Sequence, residues 1–295
     1  MRVPQGMRVL ILHSERAGRG RFSKANLVQP FERAGHEVRY RSMHKPHWKR
    51  RLAKAEVIVV AGGDGTVAKV AIALAKHGLE TPLAVIPGGK ANNIARALGA
   101  SGSVSQLART IEQPPNARLA IGLIRSPWGK VRFVESAGIG PLATLLRTEV
   151  ATLRAALGVL RAKFRTAAVH DLRIRAGDRD LSGRYVVVHV MNINAVGPRV
   201  VYAPGADPGD RSLDLVLVGD SDRNAFTRYL ERLAAGKRAR CPVVPIRVRS
   251  VEIAPWRTRD SGHIDDKVWP DEKRPRQGKV RFEVETTIPV LVPGG

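Results

Sequence analysis

The run Gly62-Gly63-Asp64-Gly65-Thr66 constrains this chain more than any other segment. It follows an unbroken β-branched stretch, residues 57–60, and precedes a stretch of helical spacing, 67–77, closed by Gly78. A buried strand that turns straight into a helix is the repeating joint of a covered parallel sheet. The same rhythm fills the first third of the chain. Residues 8–13 read as a short buried strand, 25–34 as a helix with Leu27, Phe31 and Ala34 on one face, and 38–41 as a second strand. Residues 83–86 read as a fourth strand, broken by Pro87-Gly88-Gly89 ahead of a helix over 91–98 that Gly99 closes.

From Leu119 the pattern changes. Residues 120–124, 131–135, 171–176, 184–191, 212–219, 243–254 and 279–285 are strand-like and lie between turn clusters such as Pro204-Gly205-Ala206-Asp207-Pro208-Gly209. One long helix is predicted over 145–164. Gln113-Pro114-Pro115 marks a linker, and Pro289 to Pro293 a tail. The expected fold class is α/β: an N-terminal parallel-sheet nucleotide domain, 1–117, then a mainly antiparallel β second domain, 118–285.

Charge narrows the partners. Among 295 residues, 50 Lys and Arg face 26 Asp and Glu, a net charge of +24 that favours nucleotides, nucleic acid or acidic lipid surfaces. Residues 41–55 hold Arg41, Lys45, Lys49, Arg50, Arg51 and Lys54 with Trp48 and no acid. In the long helical stretch, Leu146, Val150, Leu153, Leu157, Leu160 and Phe164 form a stripe, with Arg147, Arg154, Arg161 and Arg165 off it. Both regions fit a transient anionic membrane surface, and both equally fit a solvated or packed helix face. No nucleic-acid motif such as a helix-turn-helix is present. The lone Cys241 excludes an internal disulfide and a multi-Cys zinc site. No apolar run approaches the ~18 residues of a membrane span, and residues 9–12 are too short for a signal peptide. A cytoplasmic protein is expected, with peripheral contact at the inner membrane face.

The glycines of residues 62–66 let backbone N–H groups approach a ligand without Cβ interference. The helix N-terminus behind them adds partial positive charge, and the combination suits phosphate. Thr66 can donate to an oxygen, and Asp64 can hold a ribose, a donor or hydrated Mg²⁺. A tight strand–helix turn capped by Asp64 is the plainer alternative. The spacing is not that of a Rossmann fingerprint. Nor is Gly89-Lys90 a Walker A lysine, since Ala84 and Ala91 stand where that motif needs Gly and Ser or Thr. The second turn, residues 86–96, would share a crevice with the first at the carboxyl ends of the strands. There Asn92 and Asn93 read a base or ribose, or cap the helix.

Together the two turns make the chain resemble the diacylglycerol kinase catalytic-domain family, which includes bacterial lipid kinases and sphingosine kinases. Its wider superfamily is shared with NAD kinases. Arg16-Ala17-Gly18-Arg19-Gly20 is similar to the family's opening glycine loop, residues 62–66 match its nucleotide-phosphate motif, and residues 87–96 resemble its second loop. Residues 133–140, 204–215 and 264–269 are similar to its Ala-Gly-Ile-Gly strand, its metal loop and its Asp-Gly-Glu stretch. The resemblance implies ATP- and Mg²⁺-dependent phosphoryl transfer to a lipid hydroxyl. It also implies a two-domain fold whose last residues, 286–295, return to the nucleotide domain. Carried over by position, nucleotide contacts fall on Gly62, Gly63, Asp64, Gly65, Thr66, Gly88, Gly89, Lys90, Asn92 and Ser42. The metal ligands become Asp210, with Asp207 and Ser212 as carbonyl donors. Asp64, Asp265 and Asp266 become the catalytic carboxylates.

The departures from the family matter as much. Ser14-Glu15 stands for its Asn-Pro, Lys90 for a loop Thr, and Arg211 for the Gly of the metal loop. Lys267 replaces the glutamate that accepts the lipid hydroxyl proton, and an ammonium of pKa about 10.4 cannot do so. Asp265 or Asp266 then takes that proton, or the chain is a nucleotide- or lipid-binding pseudokinase. An NAD kinase-like enzyme is a third reading. Phosphoryl transfer rests mainly on positioning and charge stabilisation, so the exchange alone does not exclude activity.

Overall fold

A computed structural model of the protein describes residues 6–17, 20, 22–257, 260, 262–270 and 277–293. The chain divides into two compact units. One is built on residues up to Ala120, with Pro208–Asp210 and the chain from Thr286 onward; the other on Ile121–Asp207 and Arg211–Glu285.

The first unit runs β1 (Arg8–His13), α1 (Lys24–Arg33), β2 (Glu37–Ser42), a 3₁₀ segment (Trp48–Lys54), β3 (Val57–Gly62), α2 (Asp64–Lys76), β4 (Leu83–Pro87), α3 (Asn93–Ala97) and α4 (Val104–Thr110), then enters β5 (Ala117–Ser126). The strands pair in parallel in the order β4-β3-β1-β2. Burial explains their sequences. β3 is buried at every position, whereas edge strand β2 alternates and carries Arg39 and Arg41 outward. Strand order reverses between β1 and β3, and in open α/β sheets such a switch point gathers ligands at the carboxyl ends. The helix predicted over 67–77 begins earlier, so Asp64, Gly65 and Thr66 form its first turn. The short α4, N-capped by the Ser103 hydroxyl, carries too few turns to show a period in sequence. Residues 289–293 return to the first unit, as the family resemblance implies, and do so as a strand rather than a loose tail. β18 (Gln277–Leu291) places Val290 and Leu291 in parallel register with Leu83 and Ala84 of β4. Asn116 then fixes Val292 by two side-chain hydrogen bonds, 2.9 and 3.0 Å.

The second unit contains β6 (Gly129–Phe133), β7 (Ser136–Ile139), α5 (Pro141–Leu146), α6 (Leu153–Arg165), β8 (His170–Ala176), β9 (Arg179–Asp180), β10 (Gly183–Met191), β11 (Ala195–Val196), β12 (Val200–Val201), β13 (Leu213–Gly219), α7 (Arg223–Ala234), β14 (Ile246–Val248), β15 (Ser250–Arg257), β16 (Gly262–Ile264), β17 (Lys267–Val268) and most of β18. Its main ladder is antiparallel, ordered β17-β16-β7-β10-β8-β15-β18, and β13 joins β10 to β14. One core gathers Phe133, Trp256 and Phe282; another gathers Leu160, Phe164, Tyr202 and Phe226.

Several expectations need correction here. The helix predicted over 145–164 is two helices. α5 ends at Leu146, and the Thr152 hydroxyl caps α6 by accepting from Ala155 N at 3.1 Å. Its stripe, Ala156, Leu157, Leu160 and Phe164, is buried in the core shared with α7, so it is packing rather than a membrane-inserting face. α7 gives no clear signal in sequence because arginines crowd its apolar positions Phe226, Tyr229 and Leu230. The strand expected over 131–135 stops at Phe133, and the one over 243–254 begins at Ile246 and divides at Arg249. Within the opening glycine loop, Gly18 and Arg19 lie outside the described residues.

Candidate functional site

The two glycine turns meet at the carboxyl ends of β3 and β4. Gly88 N donates to Gly62 O at 2.8 Å. A Cβ on Gly89 would stand 2.6 Å from Gly63 Cα, and one on Gly62 2.8 Å from Thr66 Cβ. These glycines therefore let two backbones and the Thr66 side chain come into contact, besides whatever they offer a ligand. Asn92, at φ 54°, locks the second turn: its Oδ1 accepts from Gly89 N at 2.7 Å and its Nδ2 donates to Gly89 O at 3.0 Å.

Asp64 ties the turns together. It occupies the first position of α2, with Gly63 as N-cap, and its Oδ1 accepts from Ile94 N at 2.9 Å, 30 residues downstream. Burial raises its pKa, while backbone N–H groups of Ile94, Asn93 and Asn92 pull it down. One carboxylate thus serves two helix N-termini. Thr66 and Gly65 lie half-buried in the same turn, and Lys90 stands exposed on the second.

A further polar chain borders this edge, and of its members only Ser42 was read from sequence. The Tyr40 hydroxyl donates to Glu15 Oε1 at 3.1 Å and lies 2.9 Å from His13 Nδ1. Burial lowers the His13 pKa and pushes Tyr40 up to about 12. Ser42 is buried in register with His13, and its hydroxyl accepts from His44 N at 3.3 Å. Only the parallel pairing of β1 with β2 brings Tyr40 and Ser42 to His13, which is why inspection of either segment alone gives no signal.

In the second unit, β16 and β17 form a hairpin whose turn is Asp265-Asp266. Asp265 takes φ 49° and turns its carboxyl group inward, accepting from the N–H groups of Val134, Glu135 and Ser136 at 2.8–3.3 Å. Burial raises its pKa to about 7 against those donors. Asp266 and Lys267 are exposed. The structure thus separates three neighbours in sequence: one carboxylate is structural glue, and the next two side chains face solvent.

Asp207 is exposed and Asp210 half-buried, and they belong to different compact units. The carbonyl of Pro208 between them accepts from Ala120 N at 2.6 Å. No group of three or more His, Cys, Asp or Glu side chains gathers as a metal site among the described residues. The implied donors, the Asp210 carboxylate with the Asp207 and Ser212 carbonyls, are a hard oxygen set that suits Mg²⁺ in kind.

The diacylglycerol kinase catalytic domain model matches residues 8–124, and the YegS C-terminal NAD kinase beta sandwich-like domain model matches residues 137–266. Residues 8–124 are a diacylglycerol kinase catalytic domain. A diacylglycerol kinase of Bacillus subtilis is 27% identical over 78% of this chain and 80% of its own length. A probable lipid kinase YegS-like protein of Pseudomonas aeruginosa is 29% identical over 71% of each. A solved diacylglycerol kinase structure from Bacillus anthracis shares the fold at TM-score 0.69 and 20% identity, over 97% of both chains.

Proposed function

We propose that the protein transfers the γ-phosphoryl group of ATP to the hydroxyl of a lipid, with Mg²⁺. The observation that carries this reading is the pair of interlocked glycine turns on one sheet edge, beside the first turn of the thirteen-residue helix α2. N–H groups at a helix start lack intrahelical partners, and the helix dipole favours negative charge there, so phosphates suit the amides of Gly63, Asp64 and Gly65; Thr66, whose N–H donates to Gly63 O at 2.9 Å, would offer its hydroxyl. Lys90, where the family has a threonine, would neutralise phosphate oxygens as a point charge. Asp64 acts as a positioning residue that holds the second turn in place. Asp210, with the Asp207 and Ser212 carbonyls, would hold a structural Mg²⁺.

In the transfer the lipid hydroxyl oxygen bonds to the γ-phosphorus as the bond to the bridging oxygen breaks and ADP departs. The hydroxyl proton needs an acceptor. Asp265 is committed to three amides and Lys267 is a cation, which leaves the exposed Asp266 as the carboxylate of this hairpin for the role. On this reading the substrate is met at a bilayer face, and the +24 charge favours an anionic one.

Those same facts about Asp265 and Lys267 favour a second reading, nucleotide binding without transfer. Labelled ATP offered with lipid extracts, and separately with NAD, decides between them. Labelled lipid that falls at least tenfold in Asp266→Asn supports the kinase. ATP binding without any labelled product supports the binding module, and labelled NAD supports an NAD kinase.

A further inference from the structure

Two basic stretches of the second unit lie on elements that pack together. α6 and α7 pack side by side, with Phe164 stacked on Phe226 at 4.8 Å and Tyr202 stacked beyond it at 5.3 Å. This packing brings two basic stretches into one layer. Residues 150–170 hold four Arg and Lys and no acid; residues 223–249 hold eight and one acid, Glu231. Glu231 is itself 3.8 Å from Arg161.

The segment that follows α7 completes the surface. Ala239, Cys241 and Val243 turn inward and pack on the core beneath the two helices. Their alternation leaves Arg238 and Arg240 on the outer side, with the exposed Lys237 just before them, beside Val244, which is 86% exposed and bracketed by Pro242 and Pro245. Arg232 holds this segment by donating to the Arg238 carbonyl at 3.3 Å. Val244 is the exposed large hydrophobic residue among the described residues.

We infer that residues 237–245, with the outer faces of α6 and α7, form a docking surface for a bilayer bearing anionic phospholipid. This rests on the lipid-kinase reading for its purpose, not for its evidence. Cations rimming a single exposed aliphatic tip match the two components of interfacial binding: attraction to anionic headgroups and shallow apolar insertion. Single-stranded nucleic acid would instead call for exposed aromatic rings on which bases stack. Here Phe164, Phe226 and Tyr229 are all buried. The buried α6 stripe cannot insert, so Val244 supplies the apolar contact.

The test is co-sedimentation of the full chain with phosphatidylcholine vesicles, with and without phosphatidylglycerol. A triple Lys237→Gln, Arg238→Gln, Arg240→Gln variant and a Val244→Asp variant are compared with wild type, and melting temperatures establish that each remains folded. Wild type binds the anionic vesicles alone, and binding falls with added salt. The triple variant loses on the order of a hundredfold in affinity, about fivefold per near-surface charge; Val244→Asp also loses at least tenfold. Unchanged binding by the triple variant, or equal binding to neutral vesicles, overturns the inference. Binding to duplex DNA without vesicle binding overturns it in favour of a nucleic-acid partner. Turnover of a short-chain, water-soluble diacylglycerol is measured in parallel. Activity that the docking variants leave unchanged, with vesicle binding lost, separates this surface from the transfer chemistry. Absence of turnover with vesicle binding intact sinks the kinase reading alone.

Discussion

At the scale of single residues, backbone contact decides more than side-chain chemistry. Gly89→Ala would drive a methyl group to 2.6 Å from Gly63 Cα, against backbone that cannot rotate away. The expected cost is about 1–3 kcal/mol, with ATP affinity falling at least tenfold because the turns separate; urea unfolding and calorimetric titration measure the two effects. Asp265 yields a pH prediction. Its pKa, about 7 in the fold against 3.8 as the ordinary value, means the folded state holds a proton that the unfolded chain releases. Stability from this group is present in full below pH 3.8 and is lost as pH rises through 7. Asp265→Asn removes that dependence, so its stability relative to wild type improves with pH over this window, by up to about 1.4 kcal/mol per unit. Unfolding curves for both proteins at pH 5 and 7.5 check it; parallel behaviour of the pair refutes it. The glycine turns were legible in sequence because strand, turn and helix lie within a few residues. The partners of Asp64 and Asp265 were not, since they come from 30 and about 130 residues away.

At the scale of elements, β1, β3 and β4 were legible because a buried parallel strand is an unbroken apolar run, bounded here by glycine turns. α7 was not, because its buried face is three residues wide among arginines and becomes apolar only where α6 covers it. Gly158 sits mid-way along α6, and a methyl group added there would meet no other atom within 4 Å. Gly158→Ala should stabilise the protein by about 0.5–1 kcal/mol through helix propensity alone, read as a higher urea midpoint. The opposite outcome would mean the α6 surface is covered. Phe226→Ala, by contrast, removes a ring in contact with Phe164, Tyr202 and Tyr229 and should cost about 3–5 kcal/mol. In the sheet, His189 and His263 flank Gly138 in register, with ring centroids 4.8 Å apart. A Cβ on Gly138 would fall 2.2 Å from His189 Cδ2, so the glycine makes room for the pair. Burial lowers both pKa values, His263 to about 4. Their contribution to stability is therefore complete above pH 6.5 and is lost as pH falls toward 4, opposite in sign to Asp265.

At the scale of the whole molecule, the chain's own route becomes a determinant of stability. The first unit is contiguous in sequence only to Ala120, yet its parallel sheet is completed by the chain from Thr286 onward. In sequence, residues 289–293 read as a tail, because Pro289 and Pro293 punctuate the segment. Pro289 is nevertheless accommodated within β18, and the apolar residues around it are core. Ile288, Val290, Leu291 and Val292 are each at most 9% exposed. Burying a side chain of this kind is worth about 1.5–3 kcal/mol, so the four together match the roughly 5–15 kcal/mol by which a domain is stable at all. Deleting the chain after Glu285 should therefore unfold the first unit rather than trim it, although every glycine of the two turns remains in place. The expected result is loss of ATP binding together with loss of cooperative unfolding for that unit. Its helices should also lose amide-exchange protection, while β10 and β13 of the second unit keep theirs. Restoring the missing residues as a separate peptide, 286–295, should recover part of the binding at high peptide concentration, since pairing with β4 needs only the exposed strand edge. A truncated chain that binds ATP as wild type does, with an unchanged melting temperature, would show that β18 decorates the first unit without holding it together.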